Sequence, residues 1–147
     1  MDLVTIDQVM EFAIAAEIDA ARRYVDLAHK VDRPELRELL LLIASEEEAH
    51  RETLESVREG NLAALSTGSV DVELSVPLAA PQLGPDLTAP QFLLAAIDAE
   101  RRACQLYSEL ASRSDDPGLA TVLMALAGEE TNHWMKLEKA YEEYVGL

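Results

Sequence analysis

Four glutamates and two histidines of this chain fall into two matching sets. Glu17, Glu47 and His50 recur 83 positions later as Glu100, Glu130 and His133, and Tyr24 recurs in the same way as Tyr107. Each set holds a lone Glu, a Tyr seven residues on, and a Glu-x-x-His pair 30 residues after the first Glu. Glu and His three residues apart leave a helix on nearly the same face, so each pair can grip one centre. Two such pairs and two further Glu, one on each of four helices, are the side chains of a carboxylate-bridged dinuclear metal site.

Both pairs interrupt Leu and Ala stripes that point into a core. Burying four carboxylates without counter-charge costs many kcal/mol or forces them to protonate. Two divalent cations supply +4 against −4. Mixed carboxylate and imidazole ligation suits iron or manganese, with zinc possible, whereas magnesium and calcium prefer oxygen alone. The expected arrangement puts Glu17 and His50 on one metal, Glu100 and His133 on the other, and Glu47 and Glu130 as bridges. Tyr24 and Tyr107 lie on the ligand face, where each hydroxyl can hydrogen-bond a Glu of the opposite hairpin and fix its geometry. Glu46 and Glu129 also match across the halves, but each is turned about 100° from its ligand neighbour and reads first as a surface charge and second as an outer support of the site. Cys104 has Ala21 as its twin and reads as a small core residue; His29 reads as exposed, and Trp134 as packing against a neighbour.

The elements that must position these residues repeat as well. Thr5 and Gln8 pair with Thr88 and Gln91, Asp32 and Pro34 with Asp115 and Pro117, and Leu36, Leu40 and Ala44 with Leu119, Leu123 and Ala127. Self-similarity of this kind marks a duplicated unit. A first helix is expected from a Thr5/Gln8 capping box to about residue 30, with Val9, Phe12, Ala13, Ala16, Ala20, Leu27 and Ala28 on its inner stripe. A second begins near Asp32, tolerates Pro34 in its first turn and stops at Gly60. The Thr88/Gln91 box opens a third, and Ser114 to Gly118 turns the chain into a fourth that ends near Tyr144. The fold expected is all-α: a four-helix bundle in one domain over residues 1–147, similar in its single long crossover to the ferritin-like four-helix bundle. Hairpins 5–59 and 88–144 are joined by a crossover, 60–87, between helices 2 and 3. So long a connection can travel the length of the bundle, and its alternating stretch from Val70 to Val76 can run extended.

Composition removes several function classes. The formal net charge is −16, without the clustered Lys and Arg that nucleic acid requires. No run of 18 apolar residues exists to span a membrane. The single cysteine cannot form an internal disulfide, and the N-terminus lacks the basic start and apolar run of a signal peptide, so a cytoplasmic protein is expected.

On the pattern Glu, Glu-x-x-His, Glu, Glu-x-x-His, the chain resembles the ferritin-like superfamily of di-iron carboxylate proteins, most closely the rubrerythrin group. That resemblance implies a non-haem centre of two iron ions, with manganese or a mixed pair as variants. It also implies oxygen or peroxide as small-molecule substrate, an unidentified electron donor and, by analogy, a homodimer. The family's ligands carry over to Glu17, Glu47, His50, Glu100, Glu130 and His133. The chain departs from the family at three points: one cysteine cannot build the four-cysteine rubredoxin-like domain, Ala103 stands where an extra Glu is found, and Glu48 and Thr131 stand where a haem-binding Met would be.

Three functions are compatible with these residues. The first is a di-iron oxidoreductase of peroxidase or ferroxidase type. The second is an iron-binding, storage or delivery protein without multiple turnover. The third, a helical interaction module, has no use for two matching sets of ligands.

Overall fold

The computed structural model describes residues 3–65, 71–73 and 86–146. Its elements are β1 (Leu3–Thr5), α1 (Ile6–Lys30), α2 (Pro34–Leu65), β2 (Asp71–Glu73), α3 (Ala89–Arg113) and α4 (Pro117–Val145). The four long helices form a ferritin-like bundle.

Each hairpin opens in the same way. The Thr5 hydroxyl accepts from the Gln8 amide and the Gln8 side chain accepts from the Thr5 amide, and Thr88 with Gln91 repeats this reciprocal pair at the head of α3. Two of the four amides left open at a helix start are thereby satisfied. The helix-to-helix turns are closed differently. In the first, Arg37 of α2 reaches back to the Ala28 and Val31 carbonyls, at 3.1 and 2.7 Å, and satisfies the end of α1. In the second, the Asp116 carboxylate accepts from the Gly118 and Leu119 amides and caps the start of α4. Gly146 ends α4 in the left-handed conformation, at φ 79°.

The core divides into two clusters. One joins Val9, Met10 and Ala13 of α1 to Leu54 and Val57 of α2, Leu106 and Leu110 of α3, and Leu119 and Leu123 of α4. The other joins Leu27 and Val31 of α1 to Leu36 and Leu40 of α2, Phe92 and Leu93 of α3, and Leu137 of α4. The start of α1 is therefore level with the ends of α2 and α3 and with the start of α4. It follows that α1 is antiparallel to α2 and α3, and α2 antiparallel to α4, so the chain must cross the bundle lengthwise between α2 and α3, the one-crossover connection of this fold.

Two expectations need correction. Helix α2 does not stop at Gly60 but continues to Leu65. Gly60 has no positive φ and a side chain there would meet open space, so nothing at that position demands a left-handed stop. Ala16, placed on the inner stripe of α1, is exposed, because it flanks the buried Glu17 on the outer side. Within the crossover, Asp71–Glu73 pairs antiparallel with Leu3–Thr5, Val4 opposite Val72; residues 66–70 and 74–85 of that segment lie outside the described residues. Among the described residues no helix is long and apolar enough to cross a membrane.

Candidate metal centre

Between the two apolar clusters lies a polar layer. Glu17, Glu47, His50, Glu100, Glu130 and His133 are each no more than 3% exposed. Every helix contributes at least one of them, because the inner stripe of each helix carries a Glu at mid-length, and α2 and α4 add a His one turn on. Burial at this depth would be prohibitive for lone charges, so the layer holds only if its members compensate one another.

The side chains converge on two positions. Ligand atoms of Glu17, Glu47, His50 and Glu130 lie within 4.8 Å of one another, and so do those of Glu47, Glu100, Glu130 and His133. Two ligands on opposite sides of a transition-metal ion, each at roughly 2.2 Å, stand about 4.4 Å apart, so both groups have the size of a coordination shell. Glu47 and Glu130 occur in both groups. The imidazoles of His50 and His133 lie nearly parallel, with ring centres 5.6 Å apart and an interplanar angle of 20°.

Each imidazole turns Nδ1 inward. His50 Nδ1 is 2.7 Å from Glu130 Oε1 and 3.4 Å from Glu47 Oε1, while His133 Nδ1 is 2.9 Å from Glu47 Oε1 and 3.6 Å from Glu130 Oε1. These close approaches lack hydrogen-bond alignment. Among the described residues, seven buried side-chain atoms have no hydrogen-bond partner: Glu17 Oε2, Glu47 Oε1, His50 Nδ1 and Nε2, Glu100 Oε2, Glu130 Oε1 and His133 Nδ1. Buried polar atoms are normally paired. Five of these seven, Glu47 Oε1, His50 Nδ1, Glu100 Oε2, Glu130 Oε1 and His133 Nδ1, lie within 3.7 Å of another of the five, as donor atoms around cations do, and the donor set fits a pair of divalent ions.

The remaining oxygens are held from the side. The Tyr24 hydroxyl donates to Glu100 Oε1 at 2.6 Å and the Tyr107 hydroxyl to Glu17 Oε1 at 2.5 Å. Each bond runs from one hairpin to the other. Burial, and after it the charge of Glu100 or Glu17, pushes both phenols well above their usual range, so both stay protonated donors.

Electrostatics show how the layer is balanced by protons alone. Burial, then repulsion from Glu47, pushes Glu17 up to about 8. Burial, then Glu100 and Glu47, raises Glu130 well above the carboxylate range. Burial also acts against ionisation of Glu47, but His133 and His50 together outweigh it and hold that carboxyl below the usual range. In both imidazoles burial opposes the charged form and is outweighed by carboxylates: Glu17 and Glu47 bring His50 to about 10, and Glu100 and Glu47 bring His133 to about 11. At neutral pH the layer thus stores protons where cations would otherwise supply positive charge.

Two residues here were only partly legible in the sequence. Glu46 and Glu129, read first as surface charges and second as outer supports, lie against the outer nitrogens of the histidines: Glu46 Oε2 is 3.0 Å from His133 Nε2, and Glu129 Oε2 is 3.2 Å from His50 Nε2. Each reaches the histidine of the other hairpin, and their matched positions at the 83-residue offset were the available signal. Cys104 is partly buried, its sulfur 3.3 Å from the Thr131 hydroxyl, His29 is exposed, and Trp134 is half-buried with the Arg101 guanidinium 5.5 Å from its ring centre.

The fold is shared with solved structures. A Thermotoga maritima protein described as ferritin-like and diiron-carboxylate superposes with a TM-score of 0.85 at 19% identity, covering 98% of this chain and 99% of that one. A hypothetical protein from Pyrococcus furiosus gives 0.72 at 24% identity, over 94% and 89% of the two chains. A manganese catalase from Anabaena gives 0.72 at 25% identity, over 94% of this chain and 70% of its own. No functionally curated protein matches the sequence. The Rubrerythrin family model matches residues 8–65 and 91–146. Those segments span all four helices and every residue of the polar layer, and on that match the chain belongs to the rubrerythrin family.

Proposed function

We propose that the polar layer holds two iron ions and that the protein is an oxidoreductase acting on hydrogen peroxide or dioxygen. In this reading Glu17 and His50 would hold one ion and Glu100 and His133 the other, with Glu47 and Glu130, common to both ligand groups, shared between them. The observation that carries it is the convergence of unpaired buried atoms on two positions that share Glu47 and Glu130. When bound, a redox-active pair of this kind supplies one electron from each ion, which suits a two-electron reduction at a single site.

The chain's own contribution is orientation and exclusion of water. Tyr107 and Tyr24 hold one oxygen of Glu17 and of Glu100, leaving the other without a hydrogen-bond partner. The Leu-rich clusters above and below leave the layer in a medium of low dielectric, where metal–carboxylate attraction is strong. Glu17, Glu130 and the histidines would give up protons if cations took their place, so that binding would be coupled to proton release. A cytoplasmic location and a homodimer belong to the same reading.

A second reading is supported by the likeness to manganese catalases, at 25% and 26% identity over 94% of this chain: manganese in the same six ligands, and peroxide disproportionation. Elemental analysis of protein purified without added metal, followed by peroxide assays with and without an electron donor, separates the readings. Iron with donor-dependent peroxide or oxygen consumption supports the first. Manganese with donor-independent oxygen release supports the second, and a single turnover in either assay points to an iron-binding or delivery protein. Absence of both metals, even after anaerobic addition of ferrous or manganous ions, would overturn all of these.

A further inference from the structure

We infer that Glu46 and Glu129 are positioning residues for the two histidines and that they act unequally, so that the metal position built on Glu100 and His133 is the tighter of the two. The inference rests on the dinuclear reading above. An imidazole presents Nδ1 to a cation only while its proton resides on Nε2, and an acceptor at Nε2 both fixes that tautomer and makes Nδ1 a stronger donor. At His133 the acceptor is in place: Nε2 pairs with Glu46 Oε2 in a hydrogen bond of 3.0 Å, and the imidazole is fully buried. At His50 the counterpart is looser. Glu129 approaches Nε2 to 3.2 Å without hydrogen-bond alignment, and that nitrogen remains unpaired.

Exposure separates the two carboxylates further. The Glu129 side chain is 50% exposed and the Glu46 side chain 32%, so water competes more strongly for Glu129 and screens its charge more fully. The other supports of the layer are matched across the hairpins, with Tyr–Glu bonds of 2.6 and 2.5 Å. The outer carboxylates are where the two positions differ, and both come from the hairpin opposite the histidine they hold.

Anaerobic titration of metal-free protein with cobalt(II), followed by visible absorption and chelator competition, tests the inference. Two binding steps of different affinity are expected. Glu46→Ala should weaken the tighter step about 10- to 100-fold, the usual effect of losing such an outer partner, and bring the two affinities together. Glu129→Ala should weaken the other step by less than about 10-fold, within the lower part of that range. Glu46→Gln, which keeps an oxygen acceptor without the charge, should fall between wild type and Glu46→Ala. Proton NMR of the cobalt form gives a readout independent of activity: one exchange-protected, paramagnetically shifted imidazole N–H in wild type, lost in Glu46→Ala. Circular dichroism checks that each variant is folded, and Glu46→Gln carries the comparison if the alanine variant is not. Equal effects of the Glu46 and Glu129 variants, or no effect of either while wild type binds two ions, would overturn the inference alone. A wild-type protein that binds no cobalt would overturn the dinuclear reading with it.

Discussion

The two hairpins agree on the inside of the bundle and disagree on the outside. Inward, Glu17, Tyr24, Glu47 and His50 face Glu100, Tyr107, Glu130 and His133 in one-to-one correspondence. Outward, Ile18 and Val25, which line a groove between α1 and α2, have Arg101 and Ser108 as counterparts on α3, and Arg37, which closes the first turn, has Ala120. A residue in the polar layer has its options narrowed by every other member of the layer. A residue on the outer face answers only to solvent or to whatever packs there, so the two copies were free to diverge.

The most severe disruption of the inner match is the double variant Glu47→Ala with Glu130→Ala, which removes the residues common to both ligand groups. Metal content should fall to none by elemental analysis, whereas Glu17→Ala or Glu100→Ala should each leave about one ion. Equal losses of stoichiometry in those two single variants would support the match of the inner ligands, whatever the difference in affinity set from outside.

Removing the metal exposes the same layer to pH. Glu17, His50 and His133 all hold protons more tightly in the fold than in the unfolded chain, with values of about 8, 10 and 11 against 4.5 for the Glu and 6.5 for the His. Their stabilising contribution is complete below the unfolded values and is lost as pH rises through the folded ones. The Tm of metal-free protein should therefore fall steadily between about pH 5 and pH 10. Glu47, shifted downward, acts in the opposite sense, but its window lies below 4.5. The metal-loaded protein, in which cations replace those protons, should be nearly flat over the range; a similar slope in both forms would contradict the exchange of protons for metal.

Smaller effects probe the differences. Arg37→Ala should destabilise by about 2 kcal/mol in denaturant melts, through two carbonyls at the end of α1 losing a charged donor. Ala120→Arg at the matching site should add nothing, since Ser114 and Asp116 already close that turn. Tyr24→Phe and Tyr107→Phe should each cost about 1 kcal/mol in the metal-free protein and by nearly the same amount; a gap between them would place an inequality inside the layer rather than around it.

Local signals in the chain were the reliable ones. The capping boxes at Thr5 and Thr88, the prolines at the heads of α2 and α4 and the spacing of the Glu-x-x-His pairs each depend on residues within a turn of one another. Gly60 misled because glycine permits a left-handed stop without requiring one, and the rest of α2 continues through it. For Glu46 and Glu129 the sequence left a surface role and an outer supporting role both open and leaned to the surface, because an angle measured on a single helix says nothing about the histidine a neighbouring helix brings alongside. The pairing of Leu3–Thr5 with Asp71–Glu73 joins segments more than sixty residues apart, and the alternation from Val70 to Val76 gave no indication of the partner.

That short ribbon has a consequence for the length of the chain. It holds Asp71–Glu73 at the end of the bundle where α1 begins, whereas Thr88 caps α3 at the opposite end, so fifteen residue steps join two points a bundle length apart. Fifteen residue steps reach at most about 50 Å, while a helix of α1's length runs to roughly 37 Å. Slack of only a few residues remains. Deleting four or five between 74 and 87 should pull the ribbon apart or strain the start of α3, whereas lengthening 66–70 by as many should be tolerated with little change in Tm.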